Sequence, residues 1–355
     1  MKKAYIYIGL TVIFFSSMEV ALKLSSLGFN AIQMNFIRFF IGSLVLLPLG
    51  FRALQKRKVH LTAGDWGFFA MTGFVGVVVS MTLYQLAVGM AKASIVAILF
   101  SCNPVFVVPF AFLLLGEPIR KETIVSMLLS VIGILCIMNP LHMSAGAAGI
   151  VLTLLSAATF ALYGVIGKKR TARYGGLALT AFSFLAGSME MLALILFTNV
   201  PAVAAGLAQA GLGQFAAIPV LRGLSLAGLP GLLYVGVCVT GLGYAFYFMA
   251  MEETSASTAS TVFFIKPALA PLIALAFLGE PITWNMVAGI VLVIGGSLVT
   301  FIRSRTGVDQ EVEREAEEEL EDAQEEFADV GAEIDDIRER RGAHGVHAAG
   351  EHPSD

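Results

Sequence analysis

Lys266 is the residue whose chemistry stands out most, because it lies within an otherwise apolar stretch at residues 255–278. A lysine near the middle of a membrane costs at least ~2.5–3.5 kcal/mol, so it should face a cavity and have a partner. Two roles are open for Lys266. It could bind an anionic substrate group and exchange partners during transport, or it could be a permanently paired structural ammonium.

The first apolar segment carries a polar stripe that offers the opposite charge. Ser16, Glu19 and Lys23 follow one another at spacings of three and four residues, which places them on one face of a helix. We predict Glu19 as the counter-charge of Lys266 or as a proton carrier. The alternative is a static ion pair with Lys23, which would hold the Glu19 carboxylate ionised.

Arg38 is the third cation, after Lys266 and Lys23, that is predicted to lie within a membrane helix. It shares a helix face with Asn35, near the outer half of the second apolar segment. Three roles are open for Arg38: an outer-gate partner for Glu19, a ligand for a substrate carboxylate, or a purely structural residue.

Aromatic and hydroxyl side chains could complete a pocket. Tyr84 and Tyr247 occupy matched positions on two segments, where each could supply a ring and a hydroxyl, or simply line a helix interface. Ser156, Thr159 and Tyr163 share one face of a later segment, and we predict that they form the opposite wall of the pocket.

Two polar-proline pairs predict helix breaks near the membrane midplane. They are Asn103-Pro104 and Lys266-Pro267. Proline inside a helix removes a hydrogen bond and frees a carbonyl about one turn earlier, and in a membrane that carbonyl needs a partner or a watery cavity. The alternative is that each proline only kinks its helix and shapes packing.

Two Gly-Glu-Pro turns, at 116–118 and 279–281, predict the ends of helices. Glycine can end a helix in the left-handed conformation, and proline suits the first turn of the next helix. Glu117 and Glu280 would then stabilise the positive end of the helix that follows each turn.

Apolar stretches long enough to cross a bilayer fill most of the chain, with a mean hydropathy of +0.81. They lie at residues 4–24, 31–50, 65–88, 94–115, 120–138, 147–166, 176–197, 229–251, 255–278 and 284–302. Such runs must be helices, because lipid cannot satisfy the backbone polar groups. Basic residues concentrate on one side, which predicts that both termini are cytoplasmic.

The chain also repeats itself. Residues 83–119 align without a gap on residues 246–282, an offset that pairs Ser94 with Ser257 and Glu117 with Glu280. Each copy spans five predicted helices, and an odd number forces the copies into opposite orientations. We predict an all-α integral membrane protein with ten transmembrane helices in two inverted five-helix repeats, at 1–139 and 140–302.

The net charge of −3 is an average over two different regions. Residues 306–355 contain 4 basic and 18 acidic residues, whereas the preceding body is basic. We predict a short acidic cytoplasmic tail at 303–355, either disordered or a charged helix that could self-associate through a short apolar seam.

These motifs together resemble the drug/metabolite transporter superfamily, and most closely its EamA-type branch. The resemblance rests on the duplicated five-helix unit, the two polar-proline pairs and the two Gly-Glu-Pro turns, and it covers about residues 4–302. It implies a central cavity that moves small organic metabolites by alternating access.

The sequence also excludes several classes of function. It has no Walker or complete dinucleotide-binding motif, and its three cysteines are scattered through apolar runs. We therefore expect no enzyme activity, no cofactor, no metal site and no nucleic-acid partner.

We predict a secondary active transporter of the cytoplasmic (inner) membrane, with an amino acid or an organic anion as the favoured substrate class. Coupling to a proton or another ion remains open. The alternative is a membrane anchor or sensor that presents the acidic tail to a cytoplasmic partner.

Overall fold

The computed structural model describes residues 2–25, 29–116, 119, 121–138, 147–223, 228–253, 262–296 and 298. These residues belong to one compact unit, Met1–Phe301. The predicted tail at 303–355, with its proposed helix and seam, lies outside the described residues.

Every regular element in the described part of the chain is helical. The first half contains α1 (Lys2–Ser25), α2 (Ala31–Lys56), α3 (Ala63–Met90), α4 (Ala93–Leu115) and α5 (Lys121–Met138). The second half contains α6 (Ala147–Tyr174), α7 (Gly176–Thr198), α8 (Leu229–Ala250), α9 (Val262–Leu278) and α10 (Trp284–Gly296). A short exposed helix, Pro201–Gln209, lies in the connection after α7.

Seven of these helices, α1–α4 and α6–α8, are long and apolar enough to cross a membrane. Shorter apolar helical stretches lie within α5, α9 and α10, at Met127–Ile137, Ile265–Leu278 and Trp284–Gly296. The predicted all-helical membrane architecture is confirmed at this level, and the count of ten crossings remains a prediction. The helices α2 and α6 extend beyond their predicted apolar ends, to Lys56 and Tyr174.

Large apolar side chains cover much of the outer surface of the helices. Leu113, Phe277, Val291 and Leu128 are among the most exposed, with Leu113 at 72%. Soluble monomers rarely expose apolar surface on this scale, because water solvates it poorly. The surface is therefore suited to contact with lipid.

Only one of the two predicted proline breaks is present. The helix α4 is interrupted by a turn at residues 101–103, immediately before Pro104 begins its second half. In contrast, the helix Val262–Leu278 runs through Pro267 without interruption. Pro267 is the sixth residue of the described helix, so its missing N–H removes one hydrogen bond of the ladder, to the carbonyl of Phe263, while the helix continues.

Two π-helical segments distort α3 and α8, at Phe74–Ser80 and Tyr234–Leu242. The repeat offset places these segments at overlapping positions of the two copies. A π-helical turn shifts the backbone hydrogen bonds and is often found at functional sites. In the first copy, the carbonyl of Val77 accepts a hydrogen bond from the side chain of Asn35 in α2.

Glycine allows α3 and α7 to pack backbone to backbone. A Cβ atom added at Gly73 would lie 2.5 Å from both the Gly187 nitrogen and the Ser183 oxygen. These neighbours are main-chain atoms, so they can yield only if a whole helix moves. By contrast, a Cβ atom added at Gly164 in α6 would meet no atom within 4 Å.

We predict that Gly73→Ala destabilises the fold by about 1–3 kcal/mol, because it overpacks the α3–α7 contact. The matched variant Gly164→Ala should instead be neutral or stabilising by up to about 1 kcal/mol, since alanine favours helix. Thermal unfolding of the detergent-purified variants measures both. Equal melting temperatures for the two variants would contradict this account of the contact.

Candidate functional site

A buried ion pair connects α1 to α9 at the centre of the described helices. Lys266 Nζ lies 2.6 Å from Glu19 Oε1, and each side chain is only 1% exposed. Each charge compensates for the loss of water around the other. The predicted pairing of these two residues is present in the structure.

Two aromatic side chains complete the surroundings of this pair. The Tyr84 hydroxyl donates a hydrogen bond of 2.5 Å to Glu19 Oε1, and the Lys266 ammonium lies 5.5 Å from the centre of the Phe100 ring. The Tyr84 and Phe100 rings pack edge to face at 4.8 Å. The contacts of Glu19 with Lys266 and Tyr84 both use one carboxylate oxygen, Oε1. The other, Oε2, is buried without a hydrogen-bond partner among the described residues.

Arg38 is fully buried in α2 and lies near the ion pair. Its Nε and Nη2 atoms donate to Asn35 Oδ1 at 3.3 and 3.1 Å, and its guanidinium lies 4.4 Å from the centre of the Phe39 ring. Arg38 therefore bonds to Asn35 rather than to Glu19, and the direct outer-gate pair with Glu19 is not formed. The remaining nitrogen, Nη1, has no hydrogen-bond partner in the described part of the chain.

Four helices, α1, α2, α3 and α8, have one feature in common, namely buried polar atoms without a hydrogen-bond partner among the described residues. These atoms are Ser16 Oγ, Glu19 Oε2, Arg38 Nη1, Gln85 Oε1 and Thr240 Oγ1, and Glu190 Oε2 on α7 is a sixth such atom. Leaving such an atom unsatisfied costs about 1–3 kcal/mol. Several unsatisfied polar atoms in one region indicate a binding site for water or for a polar ligand.

Packing contacts connect these helices. The Thr240 side chain faces Gly42, one helical turn from Arg38. Tyr244 follows Thr240 by one turn, and its ring lies 5.0 Å from that of Phe15, the neighbour of Ser16. Glu19 and Tyr84 are both close enough to Arg38 to interact with it electrostatically. These contacts join Arg38, Glu19, Tyr84, Thr240 and Tyr244 around one region, and Ser16 shares the α1 face of Glu19. We call this region the central site.

The two matched tyrosines have different surroundings. Tyr84 bonds directly to Glu19, as described above. Tyr247 is half-buried and lies within an aromatic cluster, with its ring 6.0 Å from Phe15 and 5.9 Å from Phe263. The Tyr247 ring therefore packs against aromatic rings of α1 and α9.

The predicted opposite wall on α6 is arranged differently from the expectation. Ser156 and Ser80 each donate a 2.8 Å hydrogen bond to the other's carbonyl, and Thr159 donates to Leu155 in its own helix. Tyr163 is buried against Gly76 of the π-helical segment. The Ser156 and Thr159 hydroxyls therefore donate to backbone carbonyls, and their place in a pocket wall stays a prediction.

Asn103 also has a backbone partner. Its side-chain amide donates a 2.7 Å hydrogen bond to the carbonyl of Ala157 in α6. Asn103 thus attaches the interrupted region of α4 to α6. The structure does not describe the side chain of Pro104.

Lys23 pairs with Glu280, and this corrects the expected pair with Glu19. Lys23 Nζ lies 3.2 Å from Glu280 Oε1 and donates a 2.9 Å hydrogen bond to the carbonyl of Ala91. Lys23 sits one turn nearer the end of α1 than Glu19, so it reaches the residues that follow α9 rather than the centre of the bundle.

Glu280 also differs from its expected role at the start of the next helix. Its Oε1 accepts from the backbone N–H of Ala93 at 2.9 Å, and its Oε2 accepts from Ser94 N at 3.0 Å and Ser94 Oγ at 2.7 Å. The carboxylate therefore caps the first turn of α4, in the other repeat. The left-handed glycines expected before the two turns are present, with φ of 71° at Gly116 and 66° at Gly279.

The hydrogen bonds at Glu280 also set its protonation. Burial alone would raise the pKa of Glu280, but the bonds from Ser94, Ala93 and Lys23 outweigh burial and hold the pKa below its ordinary value. The cap is therefore an ionised carboxylate near neutral pH.

Glu190 is a further acidic residue, on α7. It lines a groove of about 540 Å³ between α3 and α7, together with Phe74, Val78, Leu194 and Phe197. Several of these side chains are substantially exposed, including Phe197 at 61%. The groove is therefore separate from the central site.

Sequence reasoning missed several residues of the central site. They are Phe100, Thr240 and Tyr244. Phenylalanine, threonine and tyrosine are common residue types in membrane helices. Only the packing of the folded protein therefore distinguishes Phe100, Thr240 and Tyr244 from other residues of these types.

We predict that Lys266→Met or Glu19→Gln alone destabilises the fold by about 3–5 kcal/mol, because each leaves one charge buried without its partner. The double variant should be more stable than the Lys266→Met single variant. Thermal unfolding in detergent measures this coupling. Additive losses in the double variant would show that the two charges do not depend on each other.

We also predict that Glu280 stabilises the fold in a pH-dependent way. A carboxyl group whose pKa is lower in the folded protein than in the unfolded chain stabilises the fold at pH values above the unfolded-state pKa. This contribution disappears as the pH falls through the folded-state pKa. The melting-temperature difference between the unaltered protein and Glu280→Gln should shrink on acidification. A constant difference from neutral to acidic pH would contradict an ionised cap.

Comparison with known proteins agrees with this architecture. The chain matches an uncharacterized transporter of Clostridium kluyveri at 38% identity, over 87% of this chain and 96% of that protein. It also matches an uncharacterized transporter of Archaeoglobus fulgidus at 26% identity, over 85% and 100% of the two chains. Protein PecM of Dickeya dadantii is 23% identical over 71% of this chain and 79% of its own length.

A crystal structure with 16% sequence identity has a similar fold, with a TM-score of 0.58 over 86% of this chain and 99% of that one. The sequence model of the EamA-like transporter family matches this chain twice, at residues 2–139 and 147–302. The resemblance to EamA-type members of the drug/metabolite transporter superfamily is therefore confirmed, and the chain belongs to the EamA-like transporter family.

Proposed function

We propose that this protein is a secondary active transporter that moves a small zwitterionic or anionic metabolite, such as an amino acid, across the cytoplasmic membrane. The observation that carries the proposal is the presence of two buried groups of opposite charge, each of which keeps one polar atom without a hydrogen-bond partner among the described residues. Arg38 Nη1 and Glu19 Oε2 are both buried without a described hydrogen-bond partner. A site of this kind favours a ligand that carries both signs of charge.

The two ends of such a ligand have different partners. Its carboxylate would bind to Arg38, whose planar guanidinium suits carboxylate geometry, and its ammonium would bind to Glu19 Oε2. Ser16 and Thr240 supply further polar atoms without a described partner for the rest of the ligand. An anionic ligand without an ammonium would use the Arg38 end alone.

The role assigned to Lys266 changes with this geometry. The sequence favoured Lys266 as the main ligand for an anionic group, but its ammonium is 2.6 Å from Glu19. We therefore propose that Lys266 holds Glu19 in the ionised form and releases it in part when an ammonium group arrives. Coupling to a proton would require Glu19 to accept that proton when Lys266 moves away.

The architecture supports transport by alternating access. The family match falls in two parts, and seven described helices are long enough to span a membrane. We propose ten transmembrane helices in two inverted repeats, at 1–139 and 140–302, with both termini cytoplasmic. In this arrangement the central site lies between the repeats and opens to one face at a time.

The alternative function is a membrane anchor or sensor that presents the acidic tail at 303–355. Four basic and 18 acidic residues in 306–355 would favour a basic cytoplasmic partner. Deletion of residues 306–355 distinguishes the two functions, since a transporter should keep most of its uptake activity without the tail.

We predict that Arg38→Gln weakens binding or transport of an amino acid at least about tenfold, because a charge-assisted hydrogen bond is worth about 1.5–3 kcal/mol. Binding of the matching amine, which lacks the carboxylate, should change little. The measurement is a screen of amino acids and organic acids in proteoliposomes, with thermal shift as a measure of binding.

The matched control is Arg222→Gln, which removes an arginine from an exposed part of the α7–α8 connection. It should transport normally. Normal transport of every active substrate by both Arg38→Gln and Lys266→Ala would overturn the proposed site.

A further inference from the structure

The contacts of Glu280 join the ends of three helices on one side of the molecule. Glu280 follows α9, its carboxylate caps Ala93 and Ser94 at the start of α4, and it pairs with Lys23 near the end of α1. We call these four residues the Glu280 latch. It holds α1, α4 and α9 together at the end of α1 that is distant from the N-terminus.

The position of the latch relates it to the central site. Lys23 follows Glu19 by four residues, so the latch lies one turn of α1 beyond the ion pair. The same three helices carry Glu19, Phe100 and Lys266 at the central site. Separation of α1 from α4 and α9 at the latch would therefore open a route from that membrane face to the central site.

The latch is better suited to reversible opening than the ion pair is. The Lys23 side chain is 34% exposed, whereas both partners of the ion pair are 1% exposed. Water can therefore replace the contacts of Lys23, and it can solvate a freed carboxylate at the edge of the helices. A carboxylate released within the apolar centre would have no comparable solvent.

The two ion pairs on α1 also connect ligand binding to the latch. Glu19 and Lys23 occupy the same helix face and both bind to the α9 region, through Lys266 and Glu280. A ligand that changes the Glu19–Lys266 contact alters how α1 packs on α9. That change reaches Lys23 through a rigid helical turn.

We propose that Glu280 is a gating residue whose carboxylate closes one face of the central site, and that release of its cap on α4 opens that face. The inference rests on the proposed transport function, because a gate has a role only if the central site must be reached from outside the protein. The sequence repeat offers a matched residue, since Glu117 occupies the equivalent position of the first copy. Glu117 lies outside the described residues and serves here as a control.

The experiment measures access to the central site directly. A variant without its native cysteines (Cys102, Cys136 and Cys238) receives a reporter cysteine through Thr240→Cys and is reconstituted in liposomes. A membrane-impermeant maleimide is then applied from the latch face. Glu280→Gln should raise the labelling rate about tenfold, as expected for the loss of charged hydrogen bonds, and Ser94→Ala should raise it by a smaller factor.

Glu117→Gln makes the same chemical change in the other copy and should leave labelling from the latch face unchanged. Equal increases for Glu117→Gln and Glu280→Gln would overturn the proposal, because they would reflect general loosening. Unchanged labelling in both Glu280→Gln and Ser94→Ala would overturn it as well.

Two further measurements separate the remaining outcomes. If Glu280→Gln does not fold, as judged by thermal unfolding and gel filtration, Ser94→Ala decides the result, because it removes only one hydroxyl donor. Faster labelling in a protein that transports none of the screened substrates would support the latch and contradict the proposed function. The labelling rate therefore tests the latch independently of transport activity.

Discussion

The Glu19–Lys266 ion pair is the interaction around which the central part of the structure is organised. Two opposite charges with 1% exposure can exist among apolar helices only if each remains within reach of the other. This requirement fixes how α1 packs against α9. Tyr84 and Phe100 then enclose the pair from α3 and α4, so four helices share one electrostatic constraint.

The helix distortions supply the polar groups that this arrangement needs. The π-helical segments in α3 and α8 occupy overlapping positions of the two copies, and each lies beside the central site. In α3, the segment presents the Val77 carbonyl to Asn35, which in turn orients Arg38. In α8, the segment carries Thr240. A regular helix would keep these backbone groups within its own ladder.

The charged residues discussed above, within the helices and at their ends, fall into two groups with different environments. The central group combines a satisfied ion pair with unpaired atoms on Glu19 and Arg38, which suits a ligand that comes and goes. The peripheral group at Glu280 has every carboxylate oxygen hydrogen-bonded, which suits a structural contact that can be made and broken at the edge of the membrane. The α1 helix contributes one residue to each group.

The sequence determined the class of the protein and much of the chemistry of its site. Hydropathy and the internal repeat predicted helices that cross a membrane, because lipid leaves the backbone no other partner. The cost of a buried charge identified Lys266, Glu19 and Arg38 as the residues to examine. These inferences need no knowledge of packing, since they depend only on residue type and position along a helix.

Only the tertiary structure decided which charges meet. The sequence left two partners open for Glu19, namely Lys266 and, by helical spacing, Lys23. In the structure Glu19 binds to Lys266 and Lys23 to Glu280, and each partner is more than 240 residues away along the chain. The same applies to Glu280, whose turn suggested a cap for the following helix and which instead caps α4. Contacts within a helix repeat with its period and can be read from spacing. Contacts between helices depend on how the two copies pack, and that is a property of the folded bundle alone.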